Sequence, residues 1–175
     1  ESLAGKTLLV HAEQGIGDEI LFASCFDVVI NRAAHCVLVC EQRLETLFRR
    51  SFPQATVYGF TRRKDAEGMP LAEAIDLQIP AGSLPRYFRR QSHAFPQRSS
   101  FLVPREDLVA FWKNRLSQLG DGLKVGISWR AGGKPQERRK RMIPLDTWCE
   151  ILSTPGVQFV NLQYSDSQEE LALVQ

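Results

Sequence analysis

Three carboxylates crowd one glycine turn: Glu13, Asp18 and Glu19 flank Gln14-Gly15-Ile16-Gly17. The turn follows the apolar run Leu8-Leu-Val and opens an apolar-periodic stretch. That order places it at the carboxyl end of a strand, where open parallel sheets hold their ligands. Glycine turns before helices usually suit phosphate, because free N–H groups and the positive dipole end attract anions. Here the charge has the opposite sign, and a phosphate would be repelled. A hydroxyl-bearing or cationic ligand fits better, with Asp18 as the group that accepts a proton. Asp18 also reads as a helix cap that bonds free N–H groups of the first turn. The two roles are compatible, since a capping carboxylate is held in fixed geometry and keeps one oxygen for a ligand. Gln14, Gly15 and Gly17 complete the acceptor-side loop.

The second chemical cluster is basic: Ser128-Trp-Arg130, then Lys134, Arg138, Arg139, Lys140 and Arg141. It too follows an apolar run directly, so it belongs to the carboxyl edge of a second sheet. Cations there suit a diphosphate and stabilise the charge it gains as a leaving group. Ser128, Arg130, Lys134 and Arg141 are the candidate diphosphate contacts. The rival readings are a solvated loop and a nonspecific nucleic-acid patch. Against nucleic acid, no aromatics interleave with these cations and the net charge is only +2.

The remaining polar residues offer less. His11, His35 and His93 are scattered, no Asp-x-Asp pair occurs, and the four cysteines lack paired C-x-x-C spacing. The expectation is therefore no metal and no cofactor. Gly15-x-Gly17 with Glu41 at the end of the second strand also opens a dinucleotide-binding fingerprint. Ile20 stands where its third glycine belongs, and Asp18 would face the pyrophosphate.

Positioning these groups requires an α/β framework, and the pattern supplies one. Strands are expected at Lys6–Ala12, Cys36–Glu41, Ala55–Phe60 and Ile75–Ile79, with one helix over Asp18–Arg32 and a short one through Leu44, Leu47 and Phe48. Thr61–Pro70 reads as a polar loop, Gly82–Arg90 as a short helix and Arg105–Leu119 as an amphipathic helix through Leu108, Val109, Phe111, Trp112, Leu116 and Leu119. A second unit starts at Leu123–Trp129, continues through a helix at Leu145–Leu152 and a strand at Val157–Leu162, and enters a helix from Asp166. The resulting division is 1–104, a Rossmann-like domain; 105–122, a connecting helix; and 123–175, the start of a second Rossmann-like domain.

At 175 residues with 43% hydrophobic and 24% charged residues, the chain is globular in composition. No apolar run spans a bilayer and no signal peptide opens it, so a cytoplasmic protein without stable membrane insertion is expected. Cys25, Cys36, Cys40 and Cys149 are read as buried reduced thiols, and Trp112, Trp129 and Trp148 as core or cleft-wall residues. A start at Glu1 and an end inside an apparent helix lead to the expectation of a piece of a longer protein.

Three segments carry a family resemblance: Leu8-Leu-Val-His-Ala-Glu-Gln-Gly-Ile-Gly-Asp18-Glu-Ile-Leu-Phe-Ala, Lys124-Val-Gly-Ile-Ser-Trp-Arg-Ala-Gly132 and Arg141-Met-Ile-Pro-Leu-Asp146. In this order they resemble the glycosyltransferase-like domain that follows tetratricopeptide repeats in many bacterial proteins. That group is similar to the lipopolysaccharide heptosyltransferases and, more distantly, to the O-linked N-acetylglucosamine transferases. The resemblance implies a GT-B architecture, here truncated, with two Rossmann-like domains facing each other across a cleft. It implies that Asp18 deprotonates an acceptor hydroxyl of a saccharide or protein, and that the second domain holds a nucleotide sugar as donor. Arg141 lies nearest the position of a diphosphate-contacting lysine before Pro144, and Ser128 near phosphate-contacting hydroxyls. The function implied is metal-independent, inverting glycosyl transfer by the full-length protein. Because the later part of the second domain is absent, this chain alone is expected to bind sugar nucleotides weakly. The alternatives are a non-catalytic interaction module that keeps the fold, and a dinucleotide-binding enzyme.

Overall fold

The run His-Cys-Val-Leu-Val-Cys-Glu at 35–41 is apolar on both sides of a pleat, which marks a strand covered on both faces. In the computed structural model, which describes residues 2–61, 74–97, 100–130, 142–164 and 166–174, it is β2 (His35–Glu41), buried over its five inner residues. Around it stand β1 (Thr7–His11), β3 (Thr56–Phe60) and β4 (Leu77–Pro80), all parallel, in the order β3-β2-β1-β4. The fold is α/β and Rossmann-like. Much of the expected loop at Thr61–Pro70 lies outside the described residues.

The helices differ from the expectation in one place. Asp18–Arg32 is not continuous: α1 (Ile16–Ala23) and α2 (Phe26–Ile30) are separated by a turn at Ser24–Cys25. There Ser24 N–H donates to Leu21 O and Cys25 N–H to Phe22 O, three residues back, which tightens the last turn and ends the helix. Next come α3 (Gln42–Ser51), a 3₁₀ turn at Ala81–Ser83 and α4 (Leu84–Phe88). Glu41 caps α3, accepting the Arg43 backbone N–H at 2.8 Å.

These elements close a core of Leu8, Val10, Leu38, Leu44, Val57 and Leu84 around three phenylalanines. Phe26, Phe48 and Phe52 meet pairwise with ring centroids 5.4–5.8 Å apart, tilted or edge-to-face as the ring quadrupoles favour. Cys25, Cys36 and Cys40 lie in it as small apolar groups. Burial pushes the Cys36 thiol up to about 11. Burial, helped by the charges of Glu19, Glu45 and Glu41, pushes Cys40 up to about 12. Cys149 departs from the expectation and is exposed.

The described residues divide into two units, Glu1–Pro104 and Arg105–Gln175. The second holds α5 (Glu106–Ser117), a parallel pair β5 (Leu123–Ile127) and β6 (Val157–Asn161), a 3₁₀ turn at Leu145–Trp148, α6 (Cys149–Leu152) and α7 (Gln168–Ala172). Among its described residues only Trp129, Leu145 and Ser167 are buried. On the amphipathic helix over Arg105–Leu119, Leu116 is half-buried while Leu108, Val109, Phe111 and Trp112 are 44–52% exposed. No described helix is long and apolar enough to cross a membrane.

Candidate functional site

Strand order fixes where the first unit can hold a ligand. The chain steps from β1 outward to β2 and β3, then returns to set β4 on the other side of β1. In open α/β sheets such a switch point, at the carboxyl ends of the strands, is where ligands bind. The loop after β1 carries Glu13 to Asp18, and the chain after β4 runs through Ala81-Gly82-Ser83.

Asp18 is the third residue of α1. Its Oδ2 accepts the Gly15 N–H at 3.2 Å, while Asp18 N–H and Glu19 N–H both donate to Gly15 O at 3.0 Å. Gly15 has no side chain to return the bond, so this is half of a reciprocal cap. The cap fixes the carboxylate through one oxygen, and Oδ1 takes no part in it. Gln14, Gly15 and Gly17 form the exposed turn around it.

Glu19 is the residue that chemical reading of the turn undervalued. It is 4% exposed, and its Oε2 accepts the Glu41 backbone N–H at 2.9 Å. Desolvation raises its carboxyl above the ordinary range. The Glu41 N–H works against this, and the Glu41 and Arg43 charges add a smaller rise and fall. The bond ties the first turn of α1, and with it Asp18, to the end of β2. The signal was its spacing: Glu19 lies four residues before the buried Ala23, on one face of α1.

Glu13 sits at the switch point itself. A Cβ on Gly82 would approach its carboxyl to 3.3 Å and the Phe22 ring to 3.1 Å, so only glycine there lets the carboxylate settle without displacement. Its Oε2 is shut off from solvent without a hydrogen-bond partner.

Glu41, the acid that a dinucleotide would use for its ribose, is engaged otherwise. It caps α3 and pairs with the Arg43 Nε at 2.8 Å. His11 ends β1 opposite Val39 and Pro80, half-buried. Among the described residues no cluster of three His, Cys, Asp or Glu side chains is placed to hold a metal.

In the second unit, Ser128 and Arg130 follow β5 and turn toward their own chain. The Ser128 hydroxyl donates to Gln163 Oε1 at 3.2 Å, and the Arg130 backbone N–H donates to the same oxygen at 3.0 Å. The Arg130 guanidinium bonds the Asp166 carbonyl and lies 3.3 Å from the Glu170 carboxylate. Trp129 is buried, its indole N–H donating to Glu170 Oε2 at 3.0 Å. Trp148 is half-buried and Trp112 is 48% exposed, so of the three tryptophans Trp129 alone is a fully covered core residue. Lys134 and Arg141, with Arg138, Arg139 and Lys140, lie outside the described residues.

Comparison with known proteins adds one relationship. The chain is homologous to Protein FlbA of Caulobacter vibrioides, with 37% identity over 183 residues. The match takes in 98% of this chain but only 30% of that protein. No family model matches the sequence, and no solved structure matches it.

Proposed function

We propose that this chain belongs to a metal-independent glycosyltransferase of GT-B type, and that its first unit supplies the acceptor side. The observation that carries this reading is Asp18: a carboxylate fixed by the Gly15 N–H on an acidic turn at the carboxyl edge of the sheet. A general base needs this constraint before it needs a tuned pKa. Asp18 takes the proton of an acceptor hydroxyl as that oxygen attacks the anomeric carbon of the sugar. The bond from that carbon to the nucleotide diphosphate breaks, and the pair of electrons leaves on the phosphate oxygen. One displacement inverts the anomeric centre. The carboxylate of Glu13, at the same switch point, orients a second hydroxyl or an amine of the acceptor. On the donor side the proposed contacts are Ser128, Arg130, Lys134 and Arg141, with a nucleotide sugar as the substrate.

Asp18→Asn in the full-length protein tests the reading. A panel of UDP-, GDP- and ADP-sugars first identifies the donor by binding. The variant should then keep donor affinity while the transfer rate falls roughly 10²–10⁴-fold, the usual contribution of an acid–base group. An unchanged rate removes Asp18 from the mechanism.

The second reading is an interaction module that keeps the fold without catalysis. It is favoured by the engagement of Ser128 and Arg130 with the chain's own Gln163, Asp166 and Glu170. A full-length protein that binds none of the nucleotide sugars would support it.

A further inference from the structure

An indole N–H donor and a guanidinium charge at the end of β5 meet at one carboxylate oxygen. The Trp129 indole N–H reaches Glu170 Oε2 at 3.0 Å, and the Arg130 Nε lies 3.3 Å from the same atom. The second contact is an ion pair without a hydrogen bond, since the buried Arg130 Nε has no partner in bonding geometry. One indole N–H donor and one guanidinium charge beside the same anionic oxygen have the chemistry of a small anion receptor, and a phosphoryl oxygen makes the same demands as a carboxylate oxygen. The receptor stands at the carboxyl edge of a parallel strand pair.

We propose that the Trp129–Arg130 pair is a binding site for phosphoryl oxygens, and that the chain's own Glu170 holds it shut. The holder belongs to α7, a helix of five residues with no buried side chain, and its segment is tied down by the Arg130 guanidinium on the Asp166 carbonyl and by the Asn161 Nδ2 to Ser167 Oγ bond of 3.1 Å, with Ser167 itself buried. The ion pair is part-exposed, 20% at Arg130 and 30% at Glu170, so its edge meets solvent. Beside it lies a pocket of about 270 Å³ lined by Arg130 and by Asp166 to Glu170. Asp166 and Glu169 oppose an anion there, but both share the segment with Glu170. A shift of that segment, which also frees the Arg130 guanidinium from the Asp166 carbonyl, withdraws three carboxylates together and leaves the indole N–H and the guanidinium to the incoming phosphate. Identifying that phosphate as the donor's diphosphate rests on the transferase reading; the site itself does not.

Inorganic pyrophosphate is the probe, titrated by calorimetry into the whole chain at low salt. Glu170→Gln should bind it about tenfold more tightly than the wild type. Glu106→Gln, which removes the same charge from α5, should leave the affinity unchanged. Adding Arg130→Gln to Glu170→Gln should abolish the gain. The indole N–H resonance of Trp129, identified by its loss in Trp129→Phe, should shift as wild-type chain is saturated. That spectrum decides the matter if Glu170→Gln does not fold. A folded Glu170→Gln with no gain in affinity, or an unmoved Trp129 resonance, overturns the proposal. Nucleotide-sugar binding by the full-length protein that is indifferent to Glu170→Gln would sink the latch and leave the transferase reading standing. Pyrophosphate binding as expected, with no nucleotide sugar bound, would do the reverse.

Discussion

The two units are written in the same terms, strand, polar loop, helix and strand, yet they solve the burial problem differently. In the first, β2 is covered on both faces, and Cys36, Leu38 and Cys40 share one side with the phenylalanine cluster. In the second, β5 and β6 pair in register over five residues, but neither carries a buried side chain. Ladder hydrogen bonds contribute little net free energy, because the unfolded chain bonds water equally well. Apolar area removed from water is what separates the two, at roughly 25 cal/mol per Å². A strand pair with no fully buried side chain is marginal by itself.

The strongest way to break this comparison is thiol labelling. Cys25, Cys36 and Cys40 report on the first unit and Cys149 on the second. In native buffer Cys149 should react at least ~10³-fold faster than the other three, whose exposure requires opening of a cooperative core. Comparable rates would show that the first unit is no better closed than the second. Next in size is Phe48→Ala. It removes a fully buried ring from the aromatic cluster and should cost about 3–5 kcal/mol in denaturant unfolding.

Glu19→Gln is smaller and has a pH signature. Because the folded carboxyl titrates above its unfolded value, the stability its neutral form provides is complete below the unfolded value, about 4.3. It is lost as pH rises through the folded value. Glutamine keeps an acceptor for the Glu41 N–H without the buried charge, so at neutral pH the variant should gain roughly 0.5–2 kcal/mol. The gain should vanish below about pH 4 in melts taken across the range. A gain that persists in acid would remove desolvation as its cause. The smallest effect is expected at Phe111→Ala on α5, within about 0.5 kcal/mol, since that ring is already 52% exposed. A cost as large as that of Phe48→Ala would mean the stripe on α5 is covered in solution.

Some of this was legible in the residues alone. The glycine turn with Asp18 after an apolar run fixed a strand, a turn and a capped helix, because these are local preferences set within a few residues. The doubly apolar run at 35–41 fixed a covered strand, and the alternation of strand and helix patterns fixed the α/β class. Tertiary structure decided what local pattern cannot. The break at Ser24–Cys25 splits a periodicity that reads as continuous, since a tightened turn leaves the spacing of apolar residues nearly unchanged. Glu13 reached the switch point through Gly82, which is 69 residues away in sequence and close only because β4 pairs with β1. Arg130 looked free for phosphate until Glu170, 40 positions on, supplied its counter-charge. The apolar residues of α5 were legible from their period, but not that most of them would stay exposed. Periodicity states which side of a helix is apolar; only packing determines whether anything covers it.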